Sequence, residues 1–228
     1  MKEECYRDIA FLRPHFCAGV FFFYVPEKKK GKCIMKIRMN LKSVTFIALM
    51  AALSTVLYLV LPEIPIVPGI DYLKIDFSDI PAIIAGVSFG PFSGICVEVI
   101  KNALHLFRST TLGVGEVINV GVGAAIILSL HLFSRLFAKL LKKDAFSAPV
   151  YYLSSIGAVA ASVLAGWLLN AALTPLYFAV MGIPITAASV MAGVWGSTLL
   201  NAVKAAFNLL PFFPVYYALN KAFSKIYC

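Results

Sequence analysis

Lys204 stands in the run Leu199-Leu200-Asn201-Ala202-Val203-Lys204-Ala205-Ala206-Phe207, deep in a helix-length apolar stretch. A cation placed there costs about 3 kcal/mol on insertion scales. Asn201 lies one helical turn earlier, on the same face. Three further groups of this kind interrupt apolar sequence. Glu116 and Asn119 follow Gly113-Val114-Gly115, Asn170 and Thr174 follow Trp167-Leu168-Leu169, and Tyr72-Leu73-Lys74 sits in a proline-rich stretch. Carboxamides, an ammonium and a carboxylate together offer both donors and acceptors, which suits the edge of a planar heterocycle. Tyr72, Phe77, Tyr177 and Phe207 are candidate walls for its faces. The competing reading is a structural polar network in which Lys204 neutralises Glu116.

A second group is spaced along one helix face. Glu98, Lys101, Asn102 and His105 fall at i, i+3, i+4 and i+7. Glu98 and Lys101 can neutralise each other. The set is read either as structure or as part of coupling and ligand access. His105 has no second His or Cys at ligand spacing, so no metal is expected. The cysteines Cys5, Cys17, Cys33, Cys96 and Cys228 have no metal-site spacing and are read as free thiols. No nucleophile–base–orienter set and no phosphate-cradling glycine motif is present in the sequence. No catalytic residue is expected, and ATP, where needed, must be used by another chain.

The elements that position these groups follow from composition. The chain of 228 residues is 61% hydrophobic and 14% charged, against ~25% charged in an average soluble domain. Its long, continuous apolar runs predict an all-α integral membrane protein, not a barrel. The net charge of +9 belongs to basic clusters at the ends of those runs, so no nucleic-acid partner is inferred. Residues 1–34 hold seven of the 20 basic residues and no run long enough to span. They are read as a disordered extension or a misassigned start ahead of Met35, and 35–228 as one membrane domain.

Spans are expected at 43–61, 79–107, 114–138, 149–180 and 198–221. Phe89-Gly90-Pro91 interrupts the second, and Asp79-Ile80-Pro81 reads as an N-cap with proline in the first turn. Parity decides how to count the interruption. With two helices turning at Gly90-Pro91, there are six. Arg135, Lys139, Lys142, Lys143, Lys221 and Lys225 then share the side of the basic N-terminus. The outer loops 62–78, 108–113 and 181–197 hold just Lys74 and Arg108. The positive-inside rule therefore predicts a six-transmembrane-helix bundle with both termini cytoplasmic. Residues 79–89 make only about 16 Å of helix, so that helix must be tucked into the bundle. Asn201 and Lys204 are placed at the start of the sixth helix, level with Asn170, Glu116 and Asn119 in the outer half. Ala48 and Ala52 in the first helix form a small-xxx-small pattern that suits close helix approach.

The segments Tyr72-Leu73-Lys74-Ile75-Asp76-Phe77-Ser78-Asp79-Ile80-Pro81, Phe89-Gly90-Pro91, Glu98-Val99-Ile100-Lys101-Asn102-Ala103-Leu104-His105, Gly115-Glu116-x-x-Asn119 and Asn201-x-x-Lys204 resemble the riboflavin-type substrate-binding S-components of energy-coupling factor transporters. The resemblance covers about residues 36–225. It implies a multi-pass protein of the bacterial plasma membrane that binds riboflavin from outside. It also implies docking on a transmembrane T-component with two ATP-binding subunits, and no resident cofactor. By resemblance, Glu116, Asn170, Asn201 and Lys204 hold the flavin ring, the first loop acts as a lid, and Ala48 and Ala52 face the T-component. Two other readings stay open: an S-component for another vitamin or heterocyclic solute, and an intramembrane enzyme using Glu98, Lys101 and His105.

Overall fold

The computed structural model describes residues 24–29, 32–37, 41–60, 64–65, 74–75, 77–109, 111–143 and 147–227, and side chains at 41, 44–60, 77–109, 111–143 and 147–215. Six α-helices carry the fold: α1 (Leu41–Val60), α2 (Asp79–Phe89), α3 (Pro91–His105), α4 (Val114–Leu141), α5 (Ala148–Met181) and α6 (Ala187–Tyr227). A short 3-10 turn, Leu106–Arg108, ends α3. Two short antiparallel strand pairs accompany the helices. β1 (Tyr24–Lys29) pairs with β2 (Lys32–Ile37), across the expected boundary at residue 34, and residues 1–23 lie outside the described residues. β3 (Ile64–Pro65) pairs with β4 (Lys74–Ile75) inside the first long loop, and β4 runs beside α6.

Helices α4, α5 and α6 are each long and apolar enough to cross a bilayer. α1 is predominantly apolar from Val44 to Val60, and α2 is a shorter apolar helix. The split of the second span is real. Gly90 takes φ +94°, a left-handed value that favours glycine, and Pro91 opens α3 at its first turn. α2 has only 11 residues, and all of them except Ile80 are buried. It packs against α1, α3, α4 and α6, so the short helix lies among those four. Glycines permit that approach. A Cβ on Gly94 of α3 would meet the Ala82 carbonyl, and one on Gly86 would meet Ile127 of α4. The apolar core, with Ile83, Val97, Ile126, Leu130, Tyr151 and Phe212 among its members, continues down the bundle from there. At its far end the Tyr151 hydroxyl donates to the Leu209 carbonyl at 2.8 Å, in the stretch of α6 that carries Pro211 and Pro214.

The sixth helix differs from expectation. The sequence reading put a loop over 181–197, whereas the turn spans only Gly182–Thr186 and α6 begins at Ala187. The reason is a reciprocal cap. The Ser189 amide donates to Thr186 Oγ1 and the Thr186 amide donates to Ser189 Oγ, both at 3.1 Å. This is the capping-box arrangement with serine in the place usually held by Glu or Gln. Asn201 and Lys204 consequently sit well inside α6, not at its start.

Candidate functional site

The buried charges close into a ring. Lys101 Nζ donates to Asp79 Oδ1 at 2.5 Å and pairs with Glu98 Oε2 at 2.8 Å, with the Lys101 and Glu98 side chains almost wholly sealed from solvent. Asn102 Nδ2 reaches Glu98 Oε2 at 3.3 Å and the Glu98 carbonyl at 2.8 Å. Asn119 Nδ2 donates to Asn102 Oδ1 at 2.9 Å, and Lys204 Nζ donates to Asn119 Oδ1 at 2.9 Å. Lys204 Nζ then lies 3.5 Å from Asp79 Oδ2, which also accepts from Asn208 Nδ2 at 3.1 Å. Helices α2, α3, α4 and α6 each contribute. Two carboxylates face two ammoniums, so the formal charges cancel, as buried charges require.

Two sequence expectations change here. Asp79 was read as an N-cap, but the cap position is Ser78, with no side-chain capping bond, and the Asp79 carboxylate turns inward to the lysines. The competing network reading paired Lys204 with Glu116, but Lys204 faces Asp79 and Asn119 instead. Glu98 and Lys101 do neutralise each other as expected. They make that interaction inside the ring, whereas His105 lies against Glu116.

Glu116, in the first turn of α4, is held separately. His105 Nδ1 lies 2.9 Å from Glu116 Oε1, while the hydroxyls of Ser109 and Thr111 donate to Oε2 at 2.9 and 3.1 Å. The turn between α3 and α4 folds back to allow this. Leu112 and Gly113 both take positive φ, and the amides of Gly113 and Gly115 donate to the Ser109 and Thr111 hydroxyls. Tyr58 of α1 joins this clamp to the ring. It stacks on His105 with centroids 3.9 Å apart and lies 5.6 and 5.9 Å from the Lys101 and Lys204 ammoniums, within cation–π range. Tyr58 carried no functional reading in the sequence.

Asn170 and Asn201 both abut Gly166 in the α5–α6 contact. Asn201 packs directly on Gly166, where a Cβ would collide with its side chain, and Asn170 Nδ2 donates to the Gly166 carbonyl at 2.7 Å. The buried Asn201 Nδ2 has no hydrogen-bond partner among the described residues. Of the aromatic candidates, Phe77 and Phe207 have ring centroids 5.8 Å apart, and Tyr177 contacts Phe178. Tyr72 lies outside the described residues. Ala48 and Ala52 are exposed on α1, beside Leu49, Leu53 and Val56. Among the described residues no cluster of His, Cys, Asp and Glu could hold a metal ion.

Taken together these features describe a helical membrane protein that keeps a polar, charge-balanced centre within its bundle. The chain belongs to the family of ECF transporter substrate-specific components, whose model matches residues 42–216. It is 41% identical over 102 residues to the riboflavin transporter FmnP of Bacillus subtilis (strain 168), covering 43% of this chain and 53% of that protein. It is 34% identical over 101 residues to the riboflavin transporter RibU of Staphylococcus aureus (strain TCH60), covering 44% and 52%. For RibU of Lactococcus lactis subsp. cremoris (strain NZ9000) the figures are 32% over 135 residues, 57% and 60%. The chain thus spans about half the length of the relatives it matches. A solved structure described as the S component of a bacterial ECF transporter superposes with a TM-score of 0.63, over 79% of this chain and 96% of that one, at 24% identity. That likeness establishes the fold.

Proposed function

We propose that the chain is the riboflavin-binding component of an ATP-driven vitamin uptake transporter, and not an enzyme. It takes riboflavin from the outer side through Glu116, Asn119, Asn170, Asn201 and Lys204, with Tyr72 in the loop above. Partner subunits, a transmembrane T-component and two ATP-binding chains, supply the energy. The observation that carries the reading is the buried side-chain nitrogen of Asn201, without a hydrogen-bond partner among the described residues, one helical turn from the buried ammonium of Lys204. Leaving such a donor unsatisfied costs about 1–3 kcal/mol. A ligand carbonyl arriving beside it would remove that cost. The flavin ring edge offers carbonyl oxygens and ring nitrogens as acceptors, and one imide N–H as donor. The names borne by the relatives agree with that choice of ligand.

The test is direct. Detergent-purified protein is expected to carry yellow flavin absorbance or to quench added riboflavin fluorescence with saturable stoichiometry. Colourless protein that neither quenches nor binds riboflavin would overturn the assignment.

A further inference from the structure

We propose that the closed end of the α5–α6 hairpin is seated in lipid: it rests in the headgroup–acyl boundary of the bilayer instead of standing in water. The inference does not depend on the ligand. No Asp, Glu, Lys, Arg or His occurs from residue 145 to residue 203, so no charge near the turn holds that end in water. The side chains it exposes are apolar. Ile183 and Ile185 lie in the turn, with Ile185 56% exposed. Leu176 and Val180 on α5, and Trp195 and Leu199 on α6, are exposed too. Each of these pairs is spaced i, i+4, on one helix face. The apolar surface of two helices able to cross a bilayer therefore continues to the turn without a charged break.

The backbone of the turn is closed as a lipid neighbour demands, since polar groups away from water must pair within the protein. The Gly182 amide donates to the Ala179 carbonyl at 3.4 Å, and the Ile183 amide to the Phe178 carbonyl at 2.9 Å. Pro184 has no N–H to satisfy. The reciprocal cap holds the Thr186 and Ser189 amides, and the Ser189 hydroxyl reaches the Pro184 carbonyl at 3.0 Å. The Val190 amide donates to the Thr186 carbonyl. That leaves the amides of Ile185, Ala187 and Ala188 without a partner among the described residues. Headgroup oxygens can accept from them, which sets the turn at the boundary and not deeper. Length agrees. The 34 residues of α5 make about 51 Å of helix. Lys142 and Lys143 mark its other end as a surface position. A bilayer with its headgroups is about 40–45 Å thick, so an upright α5 would lift Ile183 and Ile185 roughly 6–11 Å into water. Tilted by about 40°, the upper end of the usual range, α5 rises about 39 Å and keeps the turn at the boundary. Asn170 and Asn201 lie on the same two helices, so this seating also sets their depth.

The test reads tryptophan depth in the full chain reconstituted in phosphatidylcholine–phosphatidylglycerol vesicles. Ile185→Trp, with Trp167→Phe and Trp195→Phe, leaves one indole at the turn. The vesicles carry lipids spin-labelled at the headgroup, in the upper acyl chain or near the acyl terminus. The expected result is blue-shifted emission, loss of intensity to the upper-acyl label at least as great as to the headgroup label, and protection from aqueous iodide. Emission of a water-exposed indole, quenched by iodide and not by the acyl labels, overturns the proposal. So does blue-shifted emission that neither lipid labels nor iodide quench, because protein, such as a second copy of the chain, would then cover the turn. An introduced indole itself favours the interface, and the triple variant can fail to fold. Trp167→Phe alone answers both points, because it keeps the native Trp195, 60% exposed and eight residues into α6 from Ala187. With the turn at the boundary, Trp195 lies in the acyl region and loses more intensity to the acyl labels than to the headgroup label. The reverse order means that the hairpin stands upright in water, and the proposal fails.

Discussion

Lys204 keeps its charge inside the bundle because it is shared. Asp79 provides the opposite charge and Asn119 an oriented carbonyl. Under the flavin reading, Lys204→Ala is expected to weaken riboflavin binding by about 1.5–3 kcal/mol, the range for a hydrogen bond to a charged group. Equilibrium titration of the purified variant measures it, and unchanged affinity would leave Lys204 a structural cation. Asp79 is expected to matter more for folding than for binding. Asp79→Ala leaves Lys101 and Lys204 facing one carboxylate, and breaking a buried pair costs about 3–5 kcal/mol. A thermal-stability assay in detergent should show a large loss of melting temperature. A variant as stable as wild type would mean that the ring can relax around the missing charge.

At the scale of elements, glycines decide which helices touch and what they enclose. Gly123 of α4 faces the Glu98 carboxyl so closely that an added Cβ would lie 2.7 Å from its carboxyl carbon. Gly123→Val should therefore push α3 from α4 and open the charge ring, read as lowered thermal stability with intact helix content. Gly166 does the same for Asn201. The exposed face of α1 is a different case. Ala48, Leu49, Ala52 and Val56 point away from the bundle, and small residues there permit a second helix to approach closely. Under the transporter reading proposed above, in which this face meets the T-component, Ala48→Trp is expected to block that assembly and spare riboflavin binding. Normal co-purification with the transporter module would remove the interface assignment.

At the scale of the molecule, the fold sets a charge-neutral polar centre within an apolar shell. Arg135, Lys139, Lys142 and Lys143 cluster toward the α4–α5 connection, and Arg108 donates to the Leu59 carbonyl at the opposite connections. The expected topology puts the first cluster in the cytoplasm. Lys142→Cys, in an otherwise cysteine-free protein, should resist a membrane-impermeant thiol reagent applied to intact cells and react after permeabilisation. Labelling of intact cells would invert the assignment and place the proposed site on the wrong side for uptake.

The helices and their number were legible from the chain. Continuous apolar runs and the Gly90-Pro91 break suffice, because lipid admits few backbones, and the distribution of lysines favours the even count. Lys204, Asn201, Glu116 and Asn170 stood out for the same reason: polar groups in apolar sequence are costly enough to need an explanation. The start of α6 was missed because a Thr-x-x-Ser cap is a weaker signal than Thr-x-x-Glu. The partners were not legible at all. Asp79 and Lys204 are 125 residues apart in the chain, and at its helix terminus Asp79 offered a local role that concealed the distant one. Helical spacing identifies residues that share a face. Only the packing of α2 among α1, α3, α4 and α6 decided that the Asp79 carboxylate, not Glu116, would meet Lys204, and that His105 would be left to hold Glu116.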